Sequence, residues 1–125
     1  MTAGTKLKSA AGWNEYMGKS GNGTNDYGFS ALPAGYCRRA YDGGDDFTSA
    51  GFNAVWWTDT EVYYTGEVES GDTTRNVYVR HMDYYHERVD NVLISKDETD
   101  LYSVRCVADD SVLDDSDISN KEAQK

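Results

Sequence analysis

Three stretches rich in branched and aromatic residues follow one another between Asn76 and Val107: Asn76–Met82, Glu87–Ile94 and Leu101–Val107, with turn-forming residues between them. Such side chains fit a pleated, half-buried surface, and sequential strands usually pair, so the spacing predicts an antiparallel meander with all three contiguous in one sheet. With the first turn centred on Asp83-Tyr84, Arg80 faces Glu87 and Tyr78 faces Val89. These are an opposite-charge pair and an aromatic–branched pair of the kind that stabilises sheets.

The rest of the chain reads as an irregular β-rich domain. Ten Tyr, three Trp and 12 Gly against a single Pro suit short strands joined by glycine turns better than a helix bundle. A short helix is predicted around Asn14–Met17, a loop over Ser20–Asp26, and strands at Phe29–Leu32 and Ala54–Thr58. Pro33 ends the earlier strand, because proline cannot donate to a central ladder. The segments Asp42–Asp46 and Gly66–Thr74 are polar, glycine-bearing loops. At 125 residues the chain holds one domain with a modest core, assigned to residues 1–108. Residues 109–125 are rich in Asp, Ser and Lys with no periodic apolar face, and read as an acidic disordered tail.

A net charge of −10 argues against a nucleic-acid partner, whose phosphates draw affinity from Lys and Arg, and against adhesion to anionic membranes. Nor does any run reach the roughly 18 apolar residues of a membrane span, and Met1–Ala11 lacks the apolar stretch of an export signal.

Three segments go further: Gly28-Phe29-Ser30-Ala31-Leu32-Pro33-Ala34-Gly35-Tyr36, then Trp56-Trp57-Thr58-Asp59-Thr60-Glu61, then Tyr102-Ser103-Val104-Arg105-Cys106-Val107. The trio resembles the Fibrobacter succinogenes major paralogous domain family, which reads approximately GFSALPGGY, WWSSTE and GFSVRCV at similar distances. Leu7-Lys8-Ser9, Gly12-Trp13-Asn14 and Gly21-Asn22-Gly23-Thr24 are similar to that family too. The resemblance implies an α+β, mostly antiparallel β fold of C-type lectin-like character, with long irregular loops and little helix, in an extracellular or cell-surface protein. Family members usually open with a strand and two helices carrying a tryptophan-rich and a CPSGW-like segment, which have no counterpart here. That implies an N-terminally truncated or shortened domain, with an apolar face for a partner chain to cover.

In the family, the cysteine of the SVRCV segment pairs with one in the CPSGW-like segment. Its absence leaves Cys37 as the internal candidate for a bridge to Cys106, worth about 4 kcal/mol by loop closure; two free thiols, with Cys106 buried, are the alternative. The calcium-dependent sugar motif of true lectins and the copper-binding cysteines of the related formylglycine-generating enzymes are both missing.

Chemistry is sparse. The two histidines, His81 and His86, sit opposite each other in the register above, with Asp83 nearby, but a structural zinc site takes four ligands and a catalytic one three. No nucleophile elbow, P-loop or HExxH motif occurs, and no carboxylate pair is assignable as acid and base. We therefore expect no catalytic residues, no metal, no cofactor and no enzymatic activity. Asp42, Asp45 and Asp46 depart from the EF-hand spacing and read as a solvated loop.

The remaining signal is aromatic. Tyr41, Asp42, Asp45, Trp57 and Tyr63 are the candidate ligand-binding residues, presenting ring faces and carboxylates from loops that vary without disturbing a scaffold. Alternation puts Trp56 and Trp57 on opposite faces of their strand. The expected function is a binding or adhesion module for a protein or glycan ligand. The alternatives are a structural segment of a larger surface protein with no ligand of its own and, behind it, a metal-assisted enzyme. Truncation at Asp110 is expected to leave the melting temperature unchanged, because the tail's charges and serines bury little. A loss of several degrees would show that the tail docks.

Overall fold

The computed structural model describes residues 2–39, 44–63, 75–95 and 100–107. The predicted tail and the whole of the 66–74 loop lie outside these. Among the described residues one short helix, α1 (Ala3–Leu7), precedes seven strands: β1 (Glu15–Tyr16), β2 (Lys19–Ser20), β3 (Tyr36–Arg39), β4 (Asp45–Thr48), β5 (Asn53–Tyr63), β6 (Arg75–Asp83) and β7 (Asp90–Ser95). All strand pairs are antiparallel, in three sheets ordered β1-β2, β3-β4 and β5-β6-β7. The protein is β-rich with very little helix, and among the described residues no helix is long and apolar enough to cross a membrane.

The central sheet is covered on both faces. Register places Ala54 against Met82 and Trp56 against Arg80 on one side, and Val55 against His81 and Trp57 against Val79 on the other. On the first side Ala54 and Met82 join Trp13 and Ala31 in the core, with Leu7, Phe29, Trp56, Tyr84 and Val89 packed around them. On the second, Val55, Val77 and Val79 are buried. Trp13 is the largest side chain of the core, 5% exposed. Its Nε1–H donates to the Ala31 carbonyl at 2.9 Å, and the Lys8 ammonium stands 4.6 Å from its ring centroid.

Several expectations need correction. The predicted helix near Asn14–Met17 is a hairpin. Met17 and Gly18 both adopt positive φ (49° and 78°), the backbone of a two-residue turn whose twist matches its strands. Phe29–Leu32 is not a strand beyond a single parallel bridge between Ala31 and Lys8. Ser30 turns at φ 52°, held by Asn25, whose Oδ1 accepts Ser30 N–H at 2.6 Å.

Asn76–Met82 and Glu87–Ile94 do pair, as β6 and β7, but with a different register. Arg80 faces Asn91, Tyr78 faces Leu93 and His81 faces Asp90, because the connection is a wide loop over 84–89. Leu101–Val107 does not continue this meander. Leu101 bridges Cys37 and Ser103 bridges Trp56 in parallel, so the segment runs along the outer edge of β5, which takes the place beside β6.

That path also overturns the proposed Cys37–Cys106 bridge. Cys37 is buried opposite Leu101, whose N–H and carbonyl it bonds at 2.8 and 3.0 Å, and the chain then leaves along β5 before reaching an exposed Cys106. A disulfide needs Cα atoms within about 7 Å. Both are free thiols, and burial, with Asp45 and Asp100 nearby, pushes the Cys37 thiol pKa up. The exposed thiol is Cys106, the reverse of the free-thiol alternative.

The N-terminal segment is fastened to the 84–89 loop at close range. A Cβ on Gly4 would stand 2.5 Å from the Glu87 carbonyl oxygen, so only glycine lets α1 approach. Thr5 N–H and Thr2 Oγ1–H both donate to that same carbonyl. Since Trp13 fills the core this segment encloses, Trp13→Ala is expected to cost about 3–5 kcal/mol in urea unfolding. A loss below 1 kcal/mol would mean that the ring is not part of the core.

Candidate functional site

A two-residue irregularity in β5 shapes the principal concavity. Pairing with β6 jumps from Trp57–Val79 to Glu61–Val77, so β5 carries extra residues between them. Thr58 Oγ1–H donates to the Tyr78 carbonyl at 2.6 Å and Thr58 Oγ1 accepts Thr60 N–H at 3.3 Å. Such bulges re-aim side chains, and here Thr58 and Asp59 join the wall of an open groove of about 770 Å³.

Its lining is mostly apolar. Leu7 and Phe29 contribute from the N-terminal part, Trp56 and Trp57 from β5, Met82 from β6, Val89 from the loop before β7, and Val104, Cys106 and Val107 from the last described segment. Two guanidinium groups, Arg80 and Arg105, stand among them. Arg105 lies over the Phe29 ring at 4.3 Å, and Phe29 packs edge-on against Trp56 with centroids 5.8 Å apart. Val104 and Val107 are each 77% exposed. A shallower depression beside it places exposed Leu32 next to Trp56, Val104 and Arg105.

Of the candidate binding residues that are described, Trp57 lines this groove, its ring packed on Tyr102 at 4.9 Å, and Asp45 does not. Asp45 belongs to β4, opposite Arg39, whose Nε lies 3.7 Å from its Oδ1. Tyr63 ends β5 opposite Arg75, and its side chain is outside the described structure, as are Tyr41 and Asp42 altogether. The two described candidates, Trp57 and Asp45, are not brought together in the groove. What composition and loop reading missed is the pair of arginines and the valines of the last segment. Phe29, Arg105 and Val104 stand in the segments that carried the family resemblance, and that was the available signal.

The Fibrobacter succinogenes major domain family matches residues 1–108. The chain belongs to this family. No curated protein and no solved structure matches it. In this Fibrobacter major domain, the three segments that resemble the family all reach the groove: the first through Phe29, the second through Trp56 to Asp59, and the third through Val104 to Val107.

A second, separate feature is a chain of rings at the 84–89 loop. Tyr16 meets Tyr84 at 5.7 Å and Tyr85 at 5.3 Å, Phe52 meets Tyr84 at 5.1 Å, and Tyr85 meets His86 at 4.0 Å. A small hollow of about 110 Å³ beside it is lined by Tyr16, Tyr85, Lys19, Asn22 and Glu87 among others.

The loop under these rings is closed by Asp83, 6% exposed. Its Oδ1 accepts Tyr85 N–H at 3.1 Å and His86 N–H at 2.7 Å, and its Oδ2 lies 2.6 Å from His86 Nδ1. Burial alone would raise its pKa, but the bonds from His86 and Tyr85 outweigh it and hold the carboxyl below the usual 3.8. A carboxyl depressed on folding contributes stability that is full above the unfolded pKa and lost as pH falls through the folded one. Asp83→Asn is therefore expected to cost about 1–3 kcal/mol near pH 7. Its stability should converge with that of the parent as pH drops below 3.8, in denaturation series at stepped pH. A gap that stays constant down to the acid limit would assign the loss to something other than the charge.

Proposed function

We propose that this domain is a binding or adhesion module of C-type lectin-like architecture, extracellular or at the cell surface, that engages a protein ligand through the groove between Phe29, Trp56 and Val104. The observation that carries this reading is the convergence of three sequence-distant segments on one mostly apolar, arginine-flanked concavity. Apolar surface of this kind, with tryptophan and arginine exposed to a partner, matches the composition of energetic anchors at protein interfaces. The ligand segment that fits carries aliphatic or aromatic side chains with a carboxylate for Arg80 or Arg105. Binding rather than catalysis is proposed because the Thr58 hydroxyl in the groove directs its proton to the Tyr78 carbonyl and not to a base that would activate it as a nucleophile.

A glycan is the second ligand class. It is favoured by the Tyr16–Tyr85 ring pair with Lys19, Asn22 and Glu87 alongside, aromatic faces flanked by hydrogen-bonding groups. The competing non-binding reading is a structural segment of a larger surface protein, its groove covered by a partner chain.

A displayed peptide library and a glycan array, each probed with the parent domain and with Val104→Glu, separate these readings. Val104 is exposed, so the substitution leaves the fold intact and puts a like charge where the ligand's carboxylate approaches. Peptide binding is expected, weakened tenfold or more by Val104→Glu, with an unchanged melting temperature. Glycan binding that survives Val104→Glu but is lost in Tyr85→Ala would move the site to the tyrosine cluster, and the absence of either ligand would favour the structural segment.

A further inference from the structure

We propose that His81, Asp83 and Asp90 form a binding site for one divalent first-row transition ion of the zinc type. The three are brought to one face by sheet register alone. His81 and Asp83 are two apart on β6, and side chains two apart on a strand share a face. Asp90 stands directly opposite His81 on β7, and Asn53 stands opposite Asp83 on β5. One donor atom from each of His81, Asp83 and Asp90 lies within 4.8 Å of the others. Ligands at the roughly 2.0–2.2 Å of a zinc site stand about 3–4 Å from one another, so side-chain rotation closes the set without moving a strand.

The donor chemistry selects the ion. One imidazole and two carboxylates suit zinc and its neighbours, whereas calcium takes six to eight oxygens and does not use imidazole. Three protein ligands leave further positions for water, as in open zinc sites. The surroundings are those of held ligands. His81 Nε2 lies 3.2 Å from Asn53 Oδ1, an outer hydrogen bond of the type that fixes ring orientation. Asp83 is oriented by the Tyr85 and His86 amides on Oδ1 and by His86 Nδ1 on Oδ2, and Oδ2, with that one partner, keeps a second lone pair for a metal.

Electrostatics point the same way. A carboxylate that is 6% exposed stands beside a second carboxylate on the neighbouring strand, a like-charge arrangement that a shared dication relieves. The charged groups facing the site are His86 on Asp83, the buried Lys8 ammonium, whose charged form Asp83 favours, and Arg88, whose Nε donates to Asp90 Oδ1 at 2.6 Å. Arg88 is an exposed side chain, and its surface ion pair yields at little cost to a bound dication. The site is independent of the groove: none of its three ligands lines it.

The test uses the full chain carrying Cys106→Ser, so that the exposed thiol does not compete for metal. After chelator treatment it is titrated with ZnCl2 by calorimetry, and the imidazole nitrogens are followed by NMR. One equivalent is expected to bind, with the His81 resonances shifting as a nitrogen becomes coordinated, and with a rise in melting temperature that grows with free Zn2+. His81→Gln and Asp90→Asn should each weaken binding tenfold or more, and Asn53→Ala by about 10–100-fold as an outer-shell loss. The proposal is overturned by the absence of binding at millimolar Zn2+. It is equally overturned by binding that survives His81→Gln and Asp90→Asn, or that shifts only the His86 resonances. The NMR reading on the unsubstituted histidines decides the matter even where a variant fails to fold.

Discussion

Asp83 ends β6 with its carboxylate buried and three donors upon it, from Tyr85 N, His86 N and His86 Nδ1. That capping lets the chain leave β6 in a wide loop rather than a tight turn, and the loop fixes which residues of β7 face β6. It also presents the Glu87 carbonyl to α1 and the His86 carbonyl to Lys8, whose Nζ donates to it at 2.8 Å. Lys8 is itself buried. Burial lowers its pKa, and Asp83 and Glu87 act against that shift by favouring the charged form. The parallel bridge from Lys8 to Ala31 then carries the next segment across the sheet and sets Phe29 against Trp56. One buried carboxylate thus stands at the head of a chain of contacts that ends in the wall of the groove.

The groove is the place where the fold departs from simple coverage. Ala54, Met82 and Trp13 are buried as a core demands, yet Trp56 above them is only partly covered, and Val104 and Val107 stand largely in solvent. The extra residues of β5 interrupt its ladder with β6 and turn Thr58 and Asp59 toward the same opening. An interrupted ladder and exposed valines both cost stability, and natural domains keep such features where a surface is used. The arginines temper the apolar character, Arg105 covering Phe29 with its planar cation.

How far the sequence could be read follows from what each element depends on. β6 and β7 were legible because branched and aromatic side chains fill them, and the Trp-Trp strand was legible for the same reason. Their register was not, since it hangs on the buried Asp83 accepting backbone donors, and an Asp followed by Tyr looks like ordinary turn composition. The Met17-Gly18 turn hid in a segment whose glycine signal was outweighed by helix formers. Leu101 and Ser103 find partners in Cys37 and Trp56, far away in sequence, which local pattern does not encode. The aromatic reading located Trp57 but reached toward Asp45, which is paired with Arg39 instead. The histidines were seen, and their partners were mistaken: the shifted register gives His81 to Asp90 and leaves His86 to Asp83.

Asp83 sets the β6–β7 register, and cross-strand backbone NOEs in the full chain report that register residue by residue. Contacts are expected between Arg80 and Asn91, Tyr78 and Leu93, and His81 and Asp90. Contacts between Arg80 and Glu87 and between Tyr78 and Val89 would mean a tight hairpin turning at Asp83-Tyr84, and would contradict that register.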